Sequence, residues 1–292
     1  VKALVIGASG QLAWELDRTA PAGVALELAG SSRCDIRDRE AVRMLVTAMR
    51  PEVIVNAAAY TAVDRAEQER EQAFAVNEAG ARHLAEAAAA IGCRLVQVST
   101  DFVFAGTQAR PYLPTDPCAP LGAYGESKRA GELAVLETLG ERACVLRTAW
   151  LYSSHGNNFV KTMLRLLAER ESLGVVADQV GTPTWARGLA KAIWQAAGQG
   201  VSGVQHWTEA GVASWYDFSV AIQEEALALG LLRREIPVRP IRTSDYPTPA
   251  RRPSYSVLDK TATWTALGIA QPRHWREALR RMLAEYKEEC GA

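Results

Sequence analysis

The first half of the chain repeats one pattern of hydrophobic and polar positions. A short run that is apolar throughout precedes a longer stretch with helical spacing. The pairs are ALVIG then QLAWELDRTA, VALELAG then DREAVRMLVTAMR, VIVNAAA then EQAFAVNEAGARHLAEAAAAIG, RLVQVST then AYGESKRAGE, and ACVLRTAW then NNFVKTMLRLLAER. Strands without polar alternation are covered on both faces, and strands separated by helices pair in parallel. Right-handed crossovers then predict an α/β fold with a doubly wound parallel sheet, the Rossmann arrangement.

After about residue 150 the rhythm changes. LGVVADQVGTPT reads as a short strand and a turn, and SGVQHWTEA as another strand. WARGLAKAIWQAA, WYDFSVAIQEEALALG and PRHWREALRRMLAEYKEE read as helices. IPVRPIRTSDYPTPARRPSYSVLD, rich in proline and polar residues, reads as a long irregular segment, which in a compact chain is usually functional. The expected organisation interleaves two domains. Residues 1–150 and about 185–208 form a dinucleotide-binding domain; about 151–184 and 209–292 form a smaller mixed α/β substrate domain.

Composition excludes several function classes. Lys+Arg and Asp+Glu both number 33, so no basic surplus points to nucleic acid. No apolar stretch reaches the roughly 18 residues that cross a membrane. VKALVIGASG runs straight into a glycine turn and is not expected to be a secretion signal. Cys34, Cys93, Cys118, Cys144 and Cys290 are odd in number and far apart, which fits a reduced, cytoplasmic setting. The four histidines are isolated, so no zinc site is expected.

Gly7-Ala8-Ser9-Gly10-Gln11-Leu12 follows the first strand and opens the first helix, the context of a dinucleotide-binding turn. The glycines allow a tight bend close to a pyrophosphate, and the helix N-terminus offers unpaired N–H groups to the anion. The second strand ends in Ala29-Gly30-Ser31-Ser32-Arg33 with no carboxylate at its tip; Glu27 lies inside the strand. Ser31, Ser32 and Arg33 suit a 2′-phosphate, so NADPH is the expected cofactor and NADH the second choice. Asp35 and Ile36 either hold the adenine, or Asp35 or Asp38 caps the next helix.

The fourth strand ends in Ser99-Thr100-Asp101, where an open α/β sheet places its ligands. Tyr124 and Lys128, four apart on the next helix, share a face. A phenol with its ordinary pKa near 10 needs a nearby cation to give up its proton at neutral pH. Lys128 would lower that pKa and hold a ribose hydroxyl, and Thr100 would hydrogen-bond the substrate oxygen. Such a set polarises a carbonyl while a nicotinamide delivers hydride. Tyr60-Thr61-Ala62-Val63-Asp64 follows another strand end and faces the same crevice.

Gly7-Ala8-Ser9-Gly10, Asn56-Ala57-Ala58-Ala59, Ser99-Thr100-Asp101 and Tyr124-x-x-x-Lys128 together resemble the extended short-chain dehydrogenase/reductases. Further stretches that carry the likeness, VSTDFVFAGT, LRTAWLY, DQVGTPT and YPTPARRP among them, span nearly the whole chain in order. The resemblance implies reduction of the 4-keto group of a dTDP-6-deoxy-L-hexulose by NAD(P)H, the last step of dTDP-L-rhamnose synthesis. It implies that Tyr124 donates the proton, Lys128 tunes it and binds the nicotinamide ribose, and Thr100 steadies the carbonyl oxygen. Ala57, Ala58 and Ala59 would pass close to the cofactor. Asp101, Phe102, Trp150, Asn158 and Arg252 would lie on the substrate side, with Arg252 near the diphosphate. Trp150 also reads as a core tryptophan, and Asn157 or Asn158 as a helix cap.

Two positions depart from the family pattern. Phe102 stands where tyrosine is frequent, so a hydroxyl toward the sugar is lost. Some members dimerise around Mg²⁺ held by glutamates; Glu15 and Glu285 match two of those positions, but Arg187 stands at the third. A cation there disfavours Mg²⁺, which takes oxygen ligands. No metal is therefore expected, and the expected state is a monomer or weak homodimer. Two alternatives stay open. One is an epimerase or dehydratase of the same fold, although Asp101 lacks the neighbouring glutamate of such dehydratases. The other is a catalytically silent NADP-binding regulatory subunit, against which the intact Tyr124, Lys128 and Thr100 weigh.

Overall fold

The computed structural model describes residues 1–269 and 273–291. Its first half alternates as β1 (Lys2–Ile6), α1 (Gln11–Arg18), β2 (Ala25–Ala29), α2 (Arg39–Met49), β3 (Val53–Asn56), α3 (Val63–Ala66), α4 (Arg70–Phe74), α5 (Gly80–Ile91), β4 (Arg94–Thr100), α6 (Ala123–Leu139) and β5 (Ala143–Thr148). Then follow β6 (Leu151–Tyr152), α7 (Phe159–Glu169), β7 (Leu173–Val176), β8 (Val180–Gly181), β9 (Thr184–Trp185), α8 (Ala186–Gln199) and β10 (Gly203–His206). The chain closes with β11 (Ala213–Ser214), α9 (Trp215–Ala228), β12 (Val238–Ile241), α10 (Thr261–Leu267) and α11 (Trp275–Cys290).

Six strands form one parallel sheet in the order β10-β5-β4-β3-β1-β2. The apolar runs are explained by burial on both faces. Ala3 and Val5 of β1 join Leu12 and Leu16 of α1 and Leu189 and Ile193 of α8 in one core. Leu4 and Ile6 join Val42 and Val46 of α2, Leu84 of α5 and Val135 of α6 in the other. Each such side chain contributes roughly 1.5–3 kcal/mol on full burial. The chain leaves β1 for β2 on one side and returns to β3 on the other, so a crevice opens at the strand ends there.

Helix α8 packs on α1, and β10 pairs with β5, so residues 186–206 lie with the first half of the chain. A third core gathers Tyr152, Val160, Phe218, Ile222, Leu279 and Leu283. The strand pairs beside it are short: β6 with β9, β8 with β11, and β7 with β12.

Three local expectations are corrected. The proline-rich segment is not irregular throughout, because Val238–Ile241 pairs in parallel with Leu173–Val176. Pro240 is tolerated there because this is an edge strand of a two-stranded pair. The helix expected over EQAFAVNEAGARHLAEAAAAIG widens into a π-helical turn at Ala75–Ala79. That turn swings the buried Asn77 inward to accept from Tyr60 N at 2.9 Å and to donate to Tyr60 O at 3.1 Å and Ser127 Oγ at 3.0 Å. Helix α11 begins at Trp275, with the His274 imidazole accepting from Arg276 N; Pro272, the expected start, lies outside the described residues.

Candidate active site

A cavity of about 610 Å³ opens at the carboxyl ends of the parallel strands. Its floor is the glycine turn. Gly7 has φ +98°, and a Cβ on it would lie 2.7 Å from Ala58 N and 2.9 Å from Ala57 C. The ends of β1 and β3 therefore touch backbone to backbone, which only a glycine permits. Gly7 and Ala58 form this contact behind the cavity, while Ser9, Gly10, Gln11, Leu12, Ala57 and Ala59 line it. No side chain caps α1, so its first N–H groups are left for an anion. The cradle fits a dinucleotide pyrophosphate.

Three residues expected to be catalytic converge on the opposite wall. Thr100, Tyr124 and Lys128 all line the cavity, Thr100 from the end of β4 and the other two from the first turns of α6. Glycines let α6 come this close. A Cβ on Gly125 would stand 2.2 Å from Phe102 O, and one on Gly131 2.0 Å from Asn77 O. The Thr100 hydroxyl donates to Asp101 Oδ1 at 3.1 Å and has the Tyr124 phenol alongside. Phe102 meets the Tyr124 ring edge-on at 5.6 Å.

The expected electrostatics of the trio are corrected. Burial pushes the phenol up to about 12; the neighbouring Thr100 hydroxyl lowers it in part, and the Asp101 charge raises it further. Lys128 does not lower it here. Its ammonium donates to Val98 O at 2.6 Å, and burial brings it down to about 8 against the opposing field of Glu132. Glu132 itself is buried one turn further along α6. It accepts from Ser99 Oγ at 2.6 Å, Arg147 Nε at 2.8 Å and Arg129 Nη1 at 2.7 Å.

The outer wall is aromatic. Trp150 holds a left-handed backbone, φ +47°, unusual for a large side chain, and stacks on Trp215 at 3.5 Å with an interplanar angle of 6°. Gly181 leaves room for it, since a Cβ there would lie 2.7 Å from the indole. Phe159 packs on Trp215 at 4.5 Å. Arg252 also lines the cavity, and its guanidinium meets Asp64 at 2.7 Å. Asp101, Phe102 and Asn157 line it as well. Asn158 does not: it caps α7 by accepting from Lys161 N, and its amide donates to Ser153 O and Gln11 Oε1.

The residues expected at the 2′-phosphate lie outside the cavity, on the surface beyond β2. Ser31 and Ser32 are exposed. Arg33 is paired with Glu27 of β2. Asp35 pairs with Arg37, which holds its carboxyl below the usual range, and Asp38 takes the helix-capping role by accepting from Glu40 N and Ala41 N. Ile36 is buried where a Cβ on Gly80 would stand at 2.6 Å.

Arg187 occupies the space between Glu15 and Glu285. Its Nε lies 2.9 Å from Glu15 Oε2 and its Nη2 2.7 Å from Glu285 Oε1. The two carboxylates thus have a cation of the protein's own between them.

Trp215 and Asn77 were not singled out in the sequence. Trp215 opens a helix after an ordinary Ser cap, and nothing local marks it; only the fold brings it onto Trp150. Asn77 had a weak signal, a polar residue amid alanines at a position that proves buried.

Comparison with known proteins covers nearly the whole chain. The family described as the RmlD substrate binding domain matches residues 1–288. A dTDP-4-dehydrorhamnose reductase of Streptomyces griseus is 46% identical, over 94% of this chain and 91% of the relative. One from Aggregatibacter actinomycetemcomitans is 43% identical, over 96% and 98%. The crystal structure of a dTDP-4-dehydrorhamnose reductase from Bacillus anthracis in complex with NADP superposes with a TM-score of 0.92 at 36% identity, covering 97% of this chain and 99% of that one.

Proposed function

The chain belongs to the family of the RmlD substrate binding domain, and we propose on that premise that it reduces the 4-keto group of dTDP-4-dehydro-L-rhamnose to give dTDP-L-rhamnose. It is an NADPH-dependent oxidoreductase. The observation that carries the reading is the single cavity that brings Thr100, Tyr124 and Lys128 opposite an uncapped helix N-terminus and a glycine turn.

The reduced nicotinamide, when bound, supplies the hydride. The protein's residues do the rest. The N-terminus of α1 and the Gly7–Leu12 turn bind the pyrophosphate. Lys128 would hold the ribose hydroxyls with the ammonium that now donates to Val98 O. Thr100 donates to the carbonyl oxygen, and Tyr124 transfers its proton to that oxygen as negative charge develops there. A phenol raised by burial holds its proton until the negative oxygen arrives, so it acts as an acid only in the reacting complex. Trp150, Trp215 and Phe102 flank the sugar, and Arg252 reaches the diphosphate once it leaves Asp64. Ser31, Ser32 and Arg33 would receive the 2′-phosphate at the rim, with the edge of Ile36 that Gly80 leaves uncovered toward the adenine.

Residues 1–150 with about 185–208 would bind the dinucleotide, and about 151–184 with 209–292 the nucleotide sugar. The buried thiols of Cys34, Cys93 and Cys144 support a reduced, cytoplasmic setting, and the Arg187 clamp supports a monomer or weak homodimer without Mg²⁺. Following NADPH absorbance with dTDP-4-dehydro-L-rhamnose tests the reading. Turnover is expected; tight NADPH binding without turnover would point to a silent regulatory subunit.

A further inference from the structure

Asp101 sits where its ionisation governs the direction of a catalytic hydroxyl. It is 2% exposed, at the start of the turn that follows β4. Its Oδ1 meets Thr100 Oγ1 at 3.1 Å, and its Oδ2 has no hydrogen-bond partner among the described residues. The Ser256 hydroxyl lies alongside without completing a full hydrogen bond. Among the described residues no cation faces it in an ion pair. From α6, Tyr124 points to it through Thr100, and the Lys128 ammonium is held by Val98 O. From the segment carrying Ser256, the Arg252 guanidinium is engaged by Asp64.

Thr100 has one hydroxyl proton, which it donates to Asp101 Oδ1 with the Tyr124 phenol alongside, while its own oxygen accepts from Phe102 N at 3.2 Å. With Asp101 ionised, the proton turns toward the carboxylate and Thr100 has nothing to donate into the cavity. With Asp101 neutral, the carboxylic acid donates to Thr100, whose proton is released toward the reacting oxygen. The ionised form also opposes the negative charge that Tyr124 acquires when it gives up its proton.

We propose that Asp101 is a positioning residue that works as a neutral carboxylic acid, turning the Thr100 hydroxyl onto the substrate carbonyl. The proposal rests on the reductase reading of the site. Burial already raises this carboxyl to about 6, and a filled, drier cavity raises it further.

Two measurements test it. The first is the pH dependence of kcat/KM with saturating NADPH for wild type and Asp101→Asn. The amide keeps the shape and a donor toward Thr100 but does not titrate. Wild type is expected to lose up to about tenfold per pH unit above the Asp101 ionisation. Asp101→Asn is expected to keep activity within roughly tenfold and to lose that limb, leaving only later ionisations. An unchanged limb in Asp101→Asn overturns the proposal. The second is infrared titration of the carboxylic-acid C=O band in the ligand-free protein. A band that disappears through about pH 6 in wild type and is missing from Asp101→Asn supports the proposal; identical spectra overturn it. If wild type shows no turnover, the reductase reading fails by itself, and the infrared titration still decides the state of Asp101.

Discussion

The Lys128 ammonium donates to the Val98 carbonyl at 2.6 Å and makes no hydrogen bond to the Tyr124 phenol among the described residues. The two side chains share a helix face, yet the cation is held by the strand. Lysine in this site is charged at a cost, since burial takes its value from 10.5 down to about 8. The folded state therefore binds this proton less tightly than the unfolded chain. That penalty is present below about pH 8 and fades as pH rises toward 10.5.

Lys128→Met should remove the penalty and the function together. At pH 7 the variant is expected to melt a few degrees higher than wild type, while kcat/KM falls by at least about 100-fold. Thermal unfolding and NADPH kinetics check both signs; a destabilised variant would show that the Val98 hydrogen bond outweighs the burial cost.

Gly181→Ala should disturb the sugar side alone. The new methyl would stand 2.7 Å from the Trp150 indole, which must leave its stack on Trp215. KM for the nucleotide sugar is expected to rise about tenfold with KM for NADPH unchanged. An unchanged KM for the nucleotide sugar in Gly181→Ala would remove the Trp150–Trp215 plate from the substrate site.

Much of this was legible in the sequence, and the remainder was not for physical reasons. The sheet was readable because β1, β3, β4 and β5 are buried on both faces, so their apolar runs carry no alternation. The trio was readable because Thr100 ends a strand and Tyr124 and Lys128 are spaced four apart on a helix. The state of Lys128 was not, because its partner is a backbone carbonyl 30 residues away, which no side-chain pattern records. Trp215 was hidden likewise: its neighbour Trp150 is 65 positions distant and reaches it only through a left-handed backbone turn. Asp35 and Asp38 could each serve as a cap on sequence grounds; the backbone path chose Asp38.

Glu27→Gln should improve the grip on NADPH. Glu27 holds Arg33 in an ion pair beyond β2, so part of the charge meant for a 2′-phosphate is neutralised. The variant is expected to bind NADPH several-fold more tightly and to leave NADH affinity unchanged, by titration at low salt. Equal gains for both cofactors would place Arg33 away from the 2′ position.

Glu209 supplies a pH-dependent stability term remote from the site. It is buried, and burial raises its carboxyl to about 7, partly offset by the Trp185 backbone and the charges of Arg273 and Lys260. The folded state holds this proton more tightly than the unfolded chain, so stability is full below about pH 4.5 and is lost as pH rises through about 7. Glu209→Gln is expected to unfold at higher denaturant than wild type at pH 8, by on the order of 1–3 kcal/mol. The two proteins should converge near pH 5, and a gap that widens on acidification would reverse the assignment.

The most direct measurement is the rate of NADPH oxidation with dTDP-4-dehydro-L-rhamnose for wild type and Tyr124→Phe, with the product checked as dTDP-L-rhamnose. The account predicts turnover by wild type and a kcat lower by about 10²–10⁴-fold in the variant at unchanged NADPH affinity. A near-normal rate in Tyr124→Phe, or a wild type that binds NADPH and never oxidises it, would contradict the account.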